Sequence, residues 1–229
     1  MLIGALQKTT LIDYPGKIAC VVFTQGCNFK CGYCHNPELV FPEQWEDPVL
    51  EGTFFKYLEK RKNHLEGVCI TGGEPTLHRD LAEFIKHIRK FGLAIKLDTN
   101  GTKPKVIQSL LDKKLLDYIA MDIKGPLNKY KKISDSKVSP QQIKKSIKLV
   151  MESGLPYEFR TTVVKDQLRD RDFADIGNMI KGAPLYYLQK FKPTKTNNPC
   201  FMGKETYSEA EFKKIVRLMK EYVRECFVR

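Results

Sequence analysis

Six short apolar runs, each closed by a turn and each followed by a stretch of helical spacing, constrain this chain more than any other feature. The runs are residues 18–24 (IACVVFT), 67–71 (GVCIT), 93–99 (LAIKLDT), 118–123 (YIAMDI), 157–164 (YEFRTTVV) and 185–191 (LYYLQKF). They are rich in β-branched and aromatic residues and end near glycine, asparagine, proline or charge, which predicts buried strands. Residues 50–64, 81–91, 105–114, 141–153 and 172–180 carry apolar residues at helical spacing, and 208–226 repeats Phe212, Ile215, Val216, Met219 and Val223 along one face. Ser139 before Pro140 reads as an N-cap followed by proline in the first turn. Six β-then-α alternations predict an α/β fold with parallel strands covered by helices. At this length that is a partial (β/α)6 TIM-like barrel in a single domain. The domain is expected to take the whole chain, 1–229, with a core over about 16–192 and a C-terminal helix over about 208–226.

The formal net charge is +12. A basic balance admits two readings: a Lys-rich solvated surface with an acidic protein partner, or a nucleic-acid-binding face. The first is favoured, because lysines 56, 60 and 62 alternate with acids at 51, 59 and 66. The first ten residues lack a charged start and a long apolar run, and no stretch approaches the roughly 18 apolar residues needed to span a bilayer. The expectation is a soluble, cytoplasmic protein with no membrane partner.

Seven cysteines occur, and three of them, Cys27, Cys31 and Cys34, lie within eight residues. Disulfides are rare in reducing cytosol, so this clustering points to metal ligation. Cys20 and Cys69 lie in apolar runs and read as small buried residues. Three thiolates in one short loop suit a cubane cluster with one iron left open. The alternative is zinc held by the same thiolates with His35. Against zinc, no second cysteine clip exists, and His35 is the immediate neighbour of Cys34. The unusual residues Cys27, Gly72 to Glu74, Asp98 to Asn100 and Asp122 to Lys124 fall at or just after C-terminal ends of predicted strands, and Arg160 and Gln189, within the last two runs, are expected to face the same site. In parallel α/β architectures those ends converge on one functional rim.

The segment GCNFKCGYCHN, with Tyr33 before its last cysteine, and Gly72-Gly73-Glu74-Pro75 after the second predicted strand together resemble the radical S-adenosylmethionine enzymes. Within that superfamily, TLIDYPGKIACVVFTQGCNFKCGYCHNPEL, TGGEPTL, LDTNG and MDIKGP are similar to the short activating enzymes of glycyl radical enzymes, in particular the anaerobic ribonucleotide reductase activating proteins. The likeness spans residues 10–126 and continues more weakly to 191. It implies a [4Fe–4S] cluster on Cys27, Cys31 and Cys34, and S-adenosylmethionine contacts from Tyr33, Gly72, Gly73, Glu74, Asp98, Asn100, Lys124 and Arg160. Glu74 would meet the methionine ammonium, and the glycines would let backbone approach the ligand. Asp98, Thr99, Met121 and Asp122 match positions that bind a monovalent cation in pyruvate formate-lyase activating enzymes. The alternative is that the two acids cap strand ends or bind ribose.

Lys124 would balance those acids or meet the cofactor carboxylate, and Arg160, inside an apolar strand, needs a carboxylate or cofactor partner. No histidine follows His87; where the formate-lyase activators carry a late histidine this chain has Lys192, so either Gln189 or Lys192 substitutes or the contact is absent. That departure points away from formate-lyase activation. His78 and His87 read as helix-surface residues, and Phe41 and Trp45 as packing or lid residues over the cluster loop. The implied reaction is reductive cleavage of S-adenosylmethionine to a 5′-deoxyadenosyl radical, which takes hydrogen from a glycine of an anaerobic ribonucleotide reductase-like partner. It needs no side chain as acid or base, and it takes its electron from a donor such as flavodoxin or ferredoxin. Rival readings are a radical enzyme acting on RNA or a small molecule, and a non-catalytic zinc protein.

Overall fold

The computed structural model describes residues 1–229. The chain runs through β1 (Ile3–Thr10), β2 (Ala19–Thr24), α1 (Pro37–Val40), α2 (Glu51–Arg61), β3 (Gly67–Gly72), α3 (Leu81–Arg89), β4 (Ala94–Thr99) and α4 (Pro104–Asp112). It continues with β5 (Tyr118–Asp122), α5 (Tyr130–Ser134), α6 (Pro140–Met151), β6 (Tyr157–Val163), α7 (Asp170–Met179), β7 (Leu185–Lys190), α8 (Glu209–Met219) and β8 (Glu225–Val228). The eight strands form one sheet in sequence order. The β1–β2 pair is antiparallel, whereas β2–β3, β3–β4, β6–β7 and β7–β8 are parallel. All six predicted strands and their intervening helices are present.

Two strands depart from the expectation. β1 lacks an apolar run; its buried ends, Ile3 and Thr10, flank a mostly exposed middle, so only pairing with β2 identifies it. At the C-terminus the expected helix to 226 stops at Met219, where Lys220 N–H and Tyr222 N–H close turns onto Val216 and Met219 carbonyls. Val223 and Cys226 are buried as their apolar character requires, but from a turn and from β8. The sheet is therefore mostly, not wholly, parallel.

The chain divides into two compact units. The first comprises Met1–Asn28, Pro37–Thr99 and Lys103–Ile119. Its strands β2 and β3 are buried almost throughout. Helix α3 buries Leu81, Phe84, Ile85 and Ile88, the i, i+3, i+4, i+7 stripe of a core-facing helix. Phe54 of α2 stacks on Phe84 with ring centroids 5.4 Å apart.

The second unit comprises Phe29–Asn36, Asn100–Thr102 and Ala120–Arg229. Pro140 opens α6 after Ser139, as expected, although the serine hydroxyl donates to the Gln141 side chain (2.7 Å) instead of capping the helix. Helix α6 also buries Ser146, whose hydroxyl donates to the Gly101 carbonyl (2.6 Å). A capping box joins Ser208 and Glu211 at the start of α8. No helix is long and apolar enough to cross a membrane.

Candidate functional site

In the first unit, β2 ends at Thr24 and the chain turns through Gln25 and Gly26 into Cys27. This turn is fastened on every side. Gly26 N–H donates to Leu39 C=O (2.7 Å), Glu74 N–H to Gly26 C=O (2.8 Å), and Gly73 N–H to Thr24 C=O (2.8 Å). The Gln25 side chain donates to Glu46 C=O (2.7 Å). His78 Nε2–H donates to Gln25 C=O (2.9 Å), and burial holds this imidazole below its ordinary pKa. His78 is thus a half-buried fastener of the loop, not a surface residue. His87 is exposed, as expected, and stacks on Phe55. A Cβ on Gly73 would strike the Gly26 carbonyl, so glycine is what allows the 72–74 turn to lie against the cluster loop. Trp45 packs beside Gly26, and its indole N–H is buried without a hydrogen-bond partner.

Glu74 is fully buried. Its Oε1 accepts from Thr76 N–H (3.1 Å), from the Thr76 hydroxyl, and from the Thr99 hydroxyl (2.8 Å). A buried carboxylate must be hydrogen-bonded, and these donors fix its orientation. On β4, Asp98 pairs with the ammonium of Lys96, and both lie beside the Cys69 sulfur, 3.7 Å from Asp98 Oδ1 and 3.7 Å from Lys96 Nζ. Neither Lys96 nor this role of Cys69 was expected.

In the second unit, Cys34 N–H closes a turn on Cys31 C=O (2.9 Å). The segment after β7 grips the same loop: Asn197 N–H donates to Cys34 C=O (3.0 Å) and Asn198 N–H to Gly32 C=O (3.1 Å). Phe201 packs so closely on Gly32 that any Cβ there would strike its ring. His35 stacks on Phe191 and donates from Nε2 to the Lys192 carbonyl (2.8 Å). Lys192 therefore contributes its backbone here, while its side chain is exposed.

Asp122 accepts from Arg160 Nε (2.8 Å) and Lys124 Nζ (3.0 Å). Burial acts to raise its pKa, but the two cations outweigh it and hold the carboxyl well below the usual range. Lys124 Nζ also lies 5.9 Å from the centre of the Tyr33 ring. Arg160 thus has the carboxylate partner its place in an apolar strand demanded. Asn100 accepts from its own turn, at Thr102 N–H (3.0 Å) and Oγ1 (2.8 Å). Met121 is buried, its side chain against Gly101. Gln189 is half-buried on β7.

A family model of the radical SAM superfamily matches residues 21–180. The chain belongs to the radical SAM superfamily. Over its full length it is 32% identical to a Methanocaldococcus jannaschii protein provisionally named a glycyl-radical enzyme activating enzyme, covering 95% of that protein. It is 29% identical to the pyruvate formate-lyase-activating enzyme of Listeria monocytogenes, over 86% of this chain and 71% of that one. Among solved structures, Streptococcus suis SuiB bound to S-adenosylmethionine shares the fold with a TM-score of 0.67 at 15% identity. That match covers 89% of this chain and 48% of SuiB, so the chain spans about half the length of that structure. The fold is the partial TIM-like barrel of this superfamily.

A radical SAM enzyme uses a [4Fe–4S] cluster and S-adenosylmethionine, and the residues present fit both. None of Cys27, Cys31 and Cys34 is in a disulfide; Cys31 is buried and the other two are partly exposed. Burial pushes the Cys31 thiol up to about 11 despite the opposing pull of Lys124. An isolated thiolate is thus disfavoured there, and a bound metal centre would supply the compensating charge. Both polar atoms of the Asn197 amide are buried without a partner, and the Tyr33 hydroxyl is buried with the Cys31 sulfur as its one polar neighbour on the loop. Such groups beside a ligand-bearing loop are what a polar cofactor satisfies.

Proposed function

We propose that this radical SAM enzyme activates a glycyl radical enzyme, and that its partner is of the anaerobic ribonucleotide reductase type. The observation that carries the reading is the similarity to a relative provisionally named as such an activator. It runs end to end through both chains, with Cys27-x3-Cys31-x2-Cys34 intact. In this reading the three cysteines hold the [4Fe–4S] cluster. When bound, cluster and S-adenosylmethionine supply the one-electron chemistry that generates an organic radical able to take hydrogen from a glycine Cα.

The chain's own residues bind and orient. Glu74, fixed by Thr76 and Thr99, complements the methionine ammonium, and Gly72 and Gly73 admit the ligand to the backbone. Lys124 and Arg160 stand together on Asp122, and a pair of cations at that strand end suits a cofactor carboxylate. Tyr33 flanks the cluster side, Asn100 shapes the turn after β4, and half-buried Gln189 takes the ribose side that exposed Lys192 leaves. No residue is required as acid or base. A flavodoxin- or ferredoxin-like donor in the cytoplasm supplies the electron.

The test is to incubate reduced, cluster-loaded protein and S-adenosylmethionine with glycyl radical enzymes from the same source and record electron paramagnetic resonance spectra. A doublet glycyl signal on a ribonucleotide reductase-type partner is expected. If 5′-deoxyadenosine accumulates only with RNA or a metabolite, and no partner gains a radical, the activator reading fails.

A further inference from the structure

We infer that Lys96 is the resident counter-cation of Asp98, so that this chain takes no inorganic monovalent cation at that carboxylate. Residues 96 and 98 stand two apart on β4, and side chains two apart share one face of a strand. The parallel register sets Cys69 of β3 directly opposite Lys96. The three side chains therefore meet inside the first unit: the Lys96 ammonium on Asp98 Oδ1, with the Cys69 sulfur 3.7 Å from each. Lys96 is only 2% exposed. A buried ammonium persists only with a partner, and the partner here is Asp98.

The tail of Lys96 also passes near an aromatic face, its Nζ 5.9 Å from the centre of the Tyr118 ring, a second attraction for a positive charge. An inorganic cation on Asp98 would stand within a few ångströms of that ammonium, as a second positive charge in a poorly solvated place. In the second unit the same economy recurs, with Asp122 held between Lys124 and Arg160. The chain thus supplies its own cations to both acids that the sequence offered as cation ligands.

The inference does not depend on the proposed reaction, because it is measured without turnover. Cluster-loaded protein, handled anaerobically with and without S-adenosylmethionine, is dialysed against rubidium ion. Its melting temperature is also compared in potassium, sodium and choline chloride at equal ionic strength. The native chain is expected to bind no rubidium saturably and to melt alike in all three salts. Lys96→Met keeps the aliphatic stem and loses the charge, leaving the buried Asp98 carboxylate without that counter-cation. It is expected to melt about 10 °C lower in choline chloride and to recover saturably with potassium or sodium. In Lys96→Met/Asp98→Asn that response is expected to vanish. Saturable rubidium binding by the native chain that Asp98→Asn abolishes would overturn the inference, and this arm holds even if Lys96→Met does not fold. A Lys96→Met protein as stable as the native chain in choline chloride would overturn it as well.

Discussion

Asp122 sits between two cations, and at the residue scale this governs how the protein responds to acid. Its carboxyl titrates well below the ordinary range because Arg160 and Lys124 outweigh the effect of burial. A carboxyl depressed in the folded state stabilises the fold above its unfolded pKa, about 3.9. That stability is lost as pH falls through the folded value. Asp122→Asn is therefore expected to cost about 2 kcal/mol at pH 7 and to flatten the loss of stability below about pH 4. Urea denaturation across pH checks both. Glu74→Gln should leave the fold intact, since Thr76 N–H and both threonine hydroxyls can still donate to its carbonyl. It should weaken S-adenosylmethionine binding about tenfold or more by losing a charge-assisted contact, measured by equilibrium dialysis.

A single charge in an apolar run was the legible part of the chemistry: Arg160 needed a carboxylate or cofactor partner and has Asp122, which Lys124, read as balancing the strand-end acids, also holds. Lys96 offered the same signal, a lone lysine two residues before Asp98 in the run LAIKLDT. Asn197 could not be read in advance, because its importance comes from a backbone contact to Cys34, 163 positions away (197 − 34).

At the scale of elements, the cluster loop is shaped less by its own sequence than by what grips it. The 3₁₀ turn Pro199–Gly203 brings Phe201 onto Gly32, and Asn197 and Asn198 tie its approach to the loop carbonyls. Gly32→Ala should push the ring away at a cost of about 1–3 kcal/mol. It should expose the loop to solvent, read as faster bleaching of the cluster in air. The α8 capping box belongs here too. Ser208→Ala should destabilise the chain by about 1 kcal/mol without altering cluster content, which a thermal melt and iron assay together show. Parallel strands and core-facing helices were legible because hydrophobic periodicity is local. β1 and β8 were not: β1 lacks an apolar run, β8 is a four-residue strand whose apolar residues continue the helical spacing before it, and each is a strand only because a neighbour, β2 or β7, offers backbone partners.

Across the whole molecule, one sheet strings together residues scattered over the sequence. Each compact unit carries its own part of the chemistry: Cys27, the glycine turn and Glu74 in the first, Cys31, Cys34, Asp122, Lys124 and Arg160 in the second. The net charge of +12 fits docking to an acidic protein face. Screening shortens such attraction to about 8 Å at physiological salt, so activation rates should fall as salt rises. In the proposed reaction Cys27, Cys31 and Cys34 hold a cluster that cleaves S-adenosylmethionine. The deciding measurement is 5′-deoxyadenosine released by anaerobically reconstituted, dithionite-reduced protein alongside Cys27→Ala, Cys31→Ala and Cys34→Ala. The native chain should be brown, contain iron and release 5′-deoxyadenosine, and all three variants should release none. Undiminished release from any one variant, or a colourless native protein holding stoichiometric zinc, would contradict the account.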